Sequence, residues 1–139
     1  MSLSQNTPHA PEQAPPTLAL IEEGAKKSGV LWLTLDGRAR LAWHAWHDGA
    51  IYVVAGGAEQ ELPGLGDTPS VRVTLRSKDK GGELAAFDAT VEAVDQTGPE
   101  AVPAIEALAK ERLNAPDGAG MTGRWATESR VFRLVPDLP

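Results

Sequence analysis

The chain has no cysteine among its 139 residues, which excludes disulfide bonds, thiolate metal ligands and a cysteine nucleophile. A protein without thiols suits a reducing compartment, so we expect it in the cytoplasm. Its first residues lack the basic start and the apolar run of a secretory signal. The chain also lacks any run of ~18 apolar residues, so the sequence predicts no transmembrane segment.

Positive charge is scarce as well, because 13 lysines and arginines stand against 19 acidic residues, a net charge of −6. Such a surface repels phosphates and anionic lipids, so the composition predicts neither nucleic acid nor a membrane as a partner. The local exception is a cluster of cations at Arg72, Arg76, Lys78 and Lys80. A solvated outer strand face explains this cluster best. The alternative is an elongated anion, since Arg72 and Arg76 lie about 13 Å apart on a strand, too far for one phosphate.

Proline is concentrated at the start, where residues 1–16 hold four of the eleven prolines. This predicts a disordered or loosely docked tail, followed by a single domain over residues 17–139. Two helices are predicted in the domain. One spans 17–27 behind the N-cap Thr17, and the other spans 99–113 with apolar residues at helical spacing. The glycine-rich residues 115–128 show no clear pattern, although Trp125 needs an anchor.

Strand-like patterns occur in six stretches: 30–35, 39–46, 51–54, 71–78, 87–93 and 131–135. The dipeptides Asp36-Gly37 and Asp48-Gly49 mark tight turns between the first three. Because the strands follow one another as hairpins, with no helix crossing between them, a closed or nearly closed antiparallel barrel is favoured over a parallel sheet. The fold class is therefore mainly β (α+β), with six antiparallel strands and two or three peripheral helices.

The stretch Gly-Ala-Glu-Gln-Glu-Leu-Pro-Gly-Leu at residues 57–65 precedes a strand and the sequence Arg-Ser-Lys-Asp at residues 76–79. With the strand order, it resembles actinobacterial members of the FMN-binding split barrels related to pyridoxamine 5'-phosphate oxidase, over residues 17–135. The resemblance implies a split barrel and a homodimer with a small-molecule cofactor at the subunit interface. It further implies FMN, or in some branches F420 or haem, and a possible oxidoreductase activity.

The resemblance also assigns candidate cofactor residues. Arg38 and Arg40 correspond to phosphate-facing cations, and the strand that holds Val53, Val54 and Ala55 supplies backbone to the flavin ring. Trp46 is a candidate for packing on the cofactor, and His44 lies near a lysine position of the family. The loop that contacts the phosphate contains Gly56, Gly57 and Gln60, with Ala58 and Glu59 between them.

That loop departs from the family, which has Ser followed by Arg or Lys where this chain has Ala58, Glu59 and Gln60. A carboxylate at Glu59 repels a phosphate dianion. The alternative hypothesis is therefore a cofactor-free split barrel that serves as a binding or interaction module. Haem binding through His44 is a third. His44 and His47 point to opposite faces of a strand, so no metal site is predicted, and no motif identifies a catalytic residue.

Overall fold

The computed structural model describes residues 16–28, 30–57, 59–76, 82–112 and 120–138. Its strands are β1 (Val30–Leu35), β2 (Arg38–Trp43), β3 (Ala45–His47), β4 (Ala50–Ala55), β5 (Ser70–Arg76), β6 (Glu83–Ala93) and β7 (Arg130–Pro136). Its α-helices are α1 (Leu18–Lys27), α2 (Val102–Glu111) and α3 (Met121–Glu128). Short 3-10 helices span Leu65–Asp67 and Pro99–Ala101.

Both predicted Asp-Gly turns form hairpins. Asp36 and Gly37 have φ of 53° and 78°, and Asp48 and Gly49 have φ of 49° and 78°. Two successive residues with positive φ make the turn whose twist matches that of antiparallel strands, and aspartate and glycine tolerate this conformation best. These turns join β1 to β2 and β3 to β4, and both strand pairs are antiparallel.

The seven strands form one antiparallel sheet in the order β2-β1-β5-β6-β7-β4-β3. The two outermost strands, β2 and β3, are separated in sequence only by His44, so the sheet curls until its ends meet at that residue. The prediction of six strands was wrong by one. A single strand over 39–46 was expected, but the chain leaves β1 at Trp43 and joins β4 at Ala45. Alternation of apolar residues does not reveal such a change of partner.

Two apolar clusters lie on opposite faces of the curled sheet. The inner one fills the half-barrel and includes Leu33, Val53 and Val73, while the outer one lies between the sheet and the helices and includes Leu108 and Trp125. Strand β4 is buried along its whole length because alternate residues enter the two clusters. The residues predicted to contact a flavin ring therefore lie in the best-buried strand of the sheet.

The helices match the sequence where the pattern was periodic. Helix α1 begins after Thr17, whose hydroxyl accepts a hydrogen bond from the Leu20 amide at 3.2 Å, and α2 lies within the predicted range. Helix α3 formed where no pattern was seen, and its buried residues are Met121 and Trp125. No helix in the described ranges has the length and apolar character to cross a membrane. Apart from Pro16, the predicted tail lies outside the described residues.

Candidate functional site

A cavity of about 620 Å³ lies beside β2 and the start of β5. Arg38 and Arg40 line one wall, and the connection before β5 lines the other, through Pro63, Gly64, Thr68 and Ser70. In the β1–β2 register, Arg40 pairs with Leu33 and Arg38 with Leu35. Cross-strand partners share a face, so both arginines are on the core-facing side of β2.

Arg40 is half-buried, and its Nε is buried without a hydrogen-bond partner among the described residues. An unsatisfied buried donor costs about 1–3 kcal/mol, and more when the group is charged. Within the described ranges neither Arg38 nor Arg40 forms an ion pair. Asp36 is the acidic residue that shares the cavity wall with them. The cavity therefore has one more positive than negative side chain, and it suits an anionic group.

The loop after β4 is held inward instead of facing such a ligand. The Glu59 side chain is 0% exposed. Its carboxylate accepts hydrogen bonds from Arg112 Nε at 2.8 Å, Trp125 Nε1 at 3.0 Å and Arg124 Nη2 at 3.1 Å. Burial alone would raise the pKa of Glu59, but these bonds and the charge of Arg112 outweigh it and lower the pKa. The repulsion expected between Glu59 and a phosphate is thus neutralised within the protein.

The Gln60 side chain closes the gap between β2 and β4. Its Oε1 accepts from the Trp43 amide at 3.0 Å, and its Nε2 donates to the carbonyl of Trp43 at 3.0 Å and to that of Val54 at 3.1 Å. The side-chain amide thus makes the bonds that a neighbouring strand would make. Consequently the Val54 carbonyl, one of the candidate ring contacts, already has an internal partner.

Gly56 and Gly57 form a tight turn, with φ of 89° and 63°. The Gly56 amide donates to the Gln60 carbonyl at 2.9 Å, and the Glu59 amide donates to the Gly56 carbonyl at 3.0 Å. The Ser129 hydroxyl also donates to the Gly56 carbonyl at 2.9 Å. The amide of Gly56 is therefore occupied within the turn and is not available to an anion.

His44 and Trp46 line a different cavity from the two arginines, one of about 310 Å³ between α1, β3 and α2. Trp46 also packs against the inner apolar cluster. Val53, Val54 and Ala55 run along β7 in the sheet interior. The structure thus brings Arg38 and Arg40 together, and it separates them from His44 and Trp46. In the described ranges no three His, Asp or Glu side chains converge as a metal ion requires.

The exposed cations on β5 face outward, as the solvated-strand interpretation expects. Arg72 forms an exposed ion pair with Asp88 at 3.3 Å, and the Arg76 guanidinium lies 5.8 Å from the centre of the Trp32 ring. Lys78 and Lys80 lie outside the described residues. Neither arginine lines any of the cavities described above.

The partners of Glu59 were not predicted from the sequence. Arg112 and Trp125 lie 53 and 66 residues away from it in sequence, and neither belongs to a motif. The available signal was Trp125, a tryptophan in an unpatterned segment whose indole N–H needs an acceptor when buried. Trp125 is 0% exposed and also packs against Trp43, with 6.2 Å between ring centres.

Three solved structures show what this fold resembles. HutZ, the heme storage protein of Vibrio cholerae, is 18% identical with a TM-score of 0.60 over 86% of this chain and 89% of its own. A putative pyridoxamine 5'-phosphate oxidase of Listeria innocua is 18% identical, with a TM-score of 0.55 over 87% of this chain and 94% of its own. An FAD-binding protein of Mesorhizobium loti is 15% identical, with a TM-score of 0.57 over 88% of this chain and 90% of its own.

No protein-family model matches the sequence, and the search of curated proteins found no match. The structural likeness nevertheless confirms the predicted resemblance at the level of fold. The chain has the split-barrel fold of pyridoxamine 5'-phosphate oxidase-like proteins, a fold shared by flavin-binding and haem-binding proteins.

Proposed function

We propose that this protein binds a flavin-type cofactor, FMN or F420, with the phosphate at Arg38 and Arg40, and that it acts as an oxidoreductase. The observation that carries the proposal is the pair of arginines on one wall of a cavity of about 620 Å³, one of them with a buried Nε that has no partner in the described ranges. Small-molecule sites commonly have volumes of about 300–1,000 Å³.

The fit to a phosphate differs from the one that the resemblance implies. The loop at Glu59 and Gln60 does not suit the role, because both side chains are bonded inside the protein. Arg38 and Arg40 do suit it, since arginine forms strong paired hydrogen bonds with phosphate oxygens. A bound flavin would supply the redox chemistry, while the protein supplies position and exclusion of water.

The outer face of β1 and β2 supports the proposed homodimer. Val30 is 41% exposed and Leu41 is 52% exposed, and Leu41 pairs across the strands with Trp32. An apolar surface of this kind is typical of an interface between subunits. We propose that a second copy covers this face, which lies on the opposite side of β2 from Arg38 and Arg40.

The test is the absorption spectrum of freshly purified protein, repeated after addition of FMN or F420 and dialysis. We expect retained or acquired flavin absorbance. Arg40→Gln should weaken FMN binding about tenfold or more, because a hydrogen bond to a charged group contributes about 1.5–3 kcal/mol. Arg72→Gln, which removes an exposed arginine from the outer face, is the matched control and should bind like the wild type.

If Arg40→Gln binds FMN as well as the wild type does, the phosphate position proposed here is wrong. If the wild type binds neither cofactor, the flavin proposal is wrong and a cofactor-free binding module takes its place. Residues 56–61 include no cation, and the side chains of Glu59 and Gln60 are bonded inside the protein. Both observations favour that second function.

Haem binding, the third hypothesis, rests on His44 as axial ligand. Its Nε2 is bonded to the Ala25 carbonyl at 2.8 Å, so iron would have to bind at Nδ1 of a residue that is 1% exposed. Titration with haem in the same spectroscopic series tests this hypothesis, and a His44→Phe variant that binds haem like the wild type would reject it.

A further inference from the structure

Arg130, the first residue of β7, projects from the same face of the sheet as Arg38 and Arg40. It pairs with Ala55 across the strands and lies two residues before Phe132, and both of these residues belong to the inner apolar cluster. Cross-strand partners share a face of a sheet, as do residues two apart on one strand. Arg130 is therefore a third arginine on the inner side of the curled sheet.

Two neighbouring groups hold the guanidinium of Arg130 in place. Its Cζ lies 5.0 Å from the centre of the Phe132 ring, within the range of a cation–π contact. It also packs against the backbone of Gly66, where an added Cβ would lie 2.6 Å from Nη1. Glycine leaves this space because it has no side chain. The position of the guanidinium is therefore constrained before any ligand binds.

The charge of Arg130 is not neutralised within the part of the chain that the structure describes. The residue is exposed, and it forms no ion pair with a described carboxylate. Asp67, in the same 3-10 helix as Gly66, is exposed too and is not its partner. On the same strand, by contrast, Arg133 is bonded to Glu92 at 2.8 Å. Arg130 is thus an oriented, accessible cation, which suits a carboxylate or phosphate of a ligand.

Arg130 and the arginine-lined cavity adjoin the same short stretch of the connection before β5. Gly64 lines the cavity, and Gly66, two residues later, contacts Arg130. Given the reach of two residues of chain, the Cα of Gly64 lies at most about 12 Å from Nη1 of Arg130. Arg130 does not itself line the cavity. A ligand that contacts all three arginines must therefore carry a second anionic group beyond its phosphate.

We propose that Arg130 is a specificity-determining residue, which binds a glutamate carboxylate of F420 while Arg38 and Arg40 hold the phosphate. The inference rests on the proposed function, since it concerns the same ligand. FMN ends at its phosphate and has no group for Arg130. In F420 a lactyl and oligoglutamyl chain with several carboxylates follows the phosphate. The protein therefore binds F420 in preference to FMN.

Fluorescence titration with F420, with F420 stripped of its glutamates and with FMN tests the inference. The wild type should bind F420 about tenfold more tightly than the stripped form, the effect of one hydrogen bond to a charged group. Arg130→Gln should remove this difference and leave FMN binding unchanged, whereas Arg40→Gln should weaken the binding of all three ligands. Arg72→Gln on the outer face is the matched control and should bind them like the wild type.

Equal affinity of the wild type for F420 and its stripped form would overturn the inference and leave the proposed function in place. Wild-type protein that binds FMN alone would do the same, as would an Arg130→Gln variant that weakens F420 and FMN alike or changes neither. If Arg130→Gln fails to fold, the wild-type comparison of the two forms of F420 still decides. A wild type that binds none of the three ligands would reject the proposed function itself.

Discussion

The carboxylate of Glu59 accepts a 2.8 Å hydrogen bond from Nε of Arg112, 53 residues further along the chain. Arg112 is the C-cap of α2, and the second arginine on the same carboxylate, Arg124, belongs to α3. One side chain of the loop after β4 thus anchors two helices against the sheet. In the sequence, the charge of Glu59 argues against phosphate binding. In the folded protein, the same carboxylate holds α2 and α3 in place.

Glu59→Gln should lower the free energy of unfolding by about 3 kcal/mol, because it leaves two largely buried guanidiniums beside a neutral amide. Urea unfolding near neutral pH measures this. The lowered pKa of Glu59 stabilises the folded state above its ordinary value of 4.5, and that contribution is lost as the pH falls below it. The difference in free energy of unfolding between Glu59→Gln and the wild type should therefore become smaller at acidic pH. The exposed Glu61→Gln serves as the control, and an equal loss there would contradict the role of Glu59.

Gln60→Glu should destabilise the protein by about 2–4 kcal/mol, although the two side chains have the same shape. The Nε2 of Gln60 donates to the carbonyls of Trp43 and Val54, and a carboxylate oxygen in its place would face two acceptors without a proton. Thermal unfolding measures the loss. Gln60→Leu, which removes the polar group altogether, should cost less than Gln60→Glu. The reverse order would show that the amide does not bridge β2 and β4 in solution.

The protein should lose stability as the pH falls below about 6.5, the ordinary pKa of histidine. Burial lowers the pKa of His44 in the folded state, and the hydrogen bond to Ala25 offsets this only in part. Below 6.5 the unfolded chain therefore takes up a proton that the folded protein does not, which favours unfolding. Denaturant unfolding between pH 5 and 7.5 checks this. His44→Phe should flatten the dependence, and His47→Gln should leave it in place.

Gly57→Ala should be more destabilising than Gly37→Ala. Both glycines have positive φ, 63° and 78°, so both substitutions incur about 1–2 kcal/mol of backbone strain. A Cβ at Gly57 would also lie 2.7 Å from the Glu128 carbonyl oxygen, whereas one at Gly37 would meet no atom within 4 Å. The extra cost at Gly57 should be about 1–3 kcal/mol, measured by thermal unfolding. Equal effects would mean that the turn does not pack against Glu128.

Local chemistry accounts for what was predictable from the sequence. The Asp-Gly turns, the Thr17 cap and the alternation along β5 each depend on a few neighbouring residues, and all of them formed as expected. The change of partner at His44 was not predictable, since it depends on how far the whole sheet curls. The contact between Glu59 and Trp125 was missed for a related reason, because only the folded sheet brings residues 66 positions apart together.

The candidate site was also predictable only in part. Arg38 and Arg40 are two positions apart on one strand, so the sequence already implies that they share a face. In the structure they line one cavity. The resemblance assigns His44 and Trp46 to the cofactor site, and this assignment stays a prediction. Because the chain changes partner after Trp43, the structure places both residues in the lining of the second cavity.

The single-residue junction at His44 also bears on aggregation. Outer strands present unpaired amides and carbonyls to which a strand of another chain can bind. Here the two outermost strands, β2 and β3, are joined directly through His44. The Gln60 side chain also forms hydrogen bonds with both the amide and the carbonyl of Trp43, at the end of β2. The edge that β2 would offer to a strand of another chain is therefore partly occupied from within the protein.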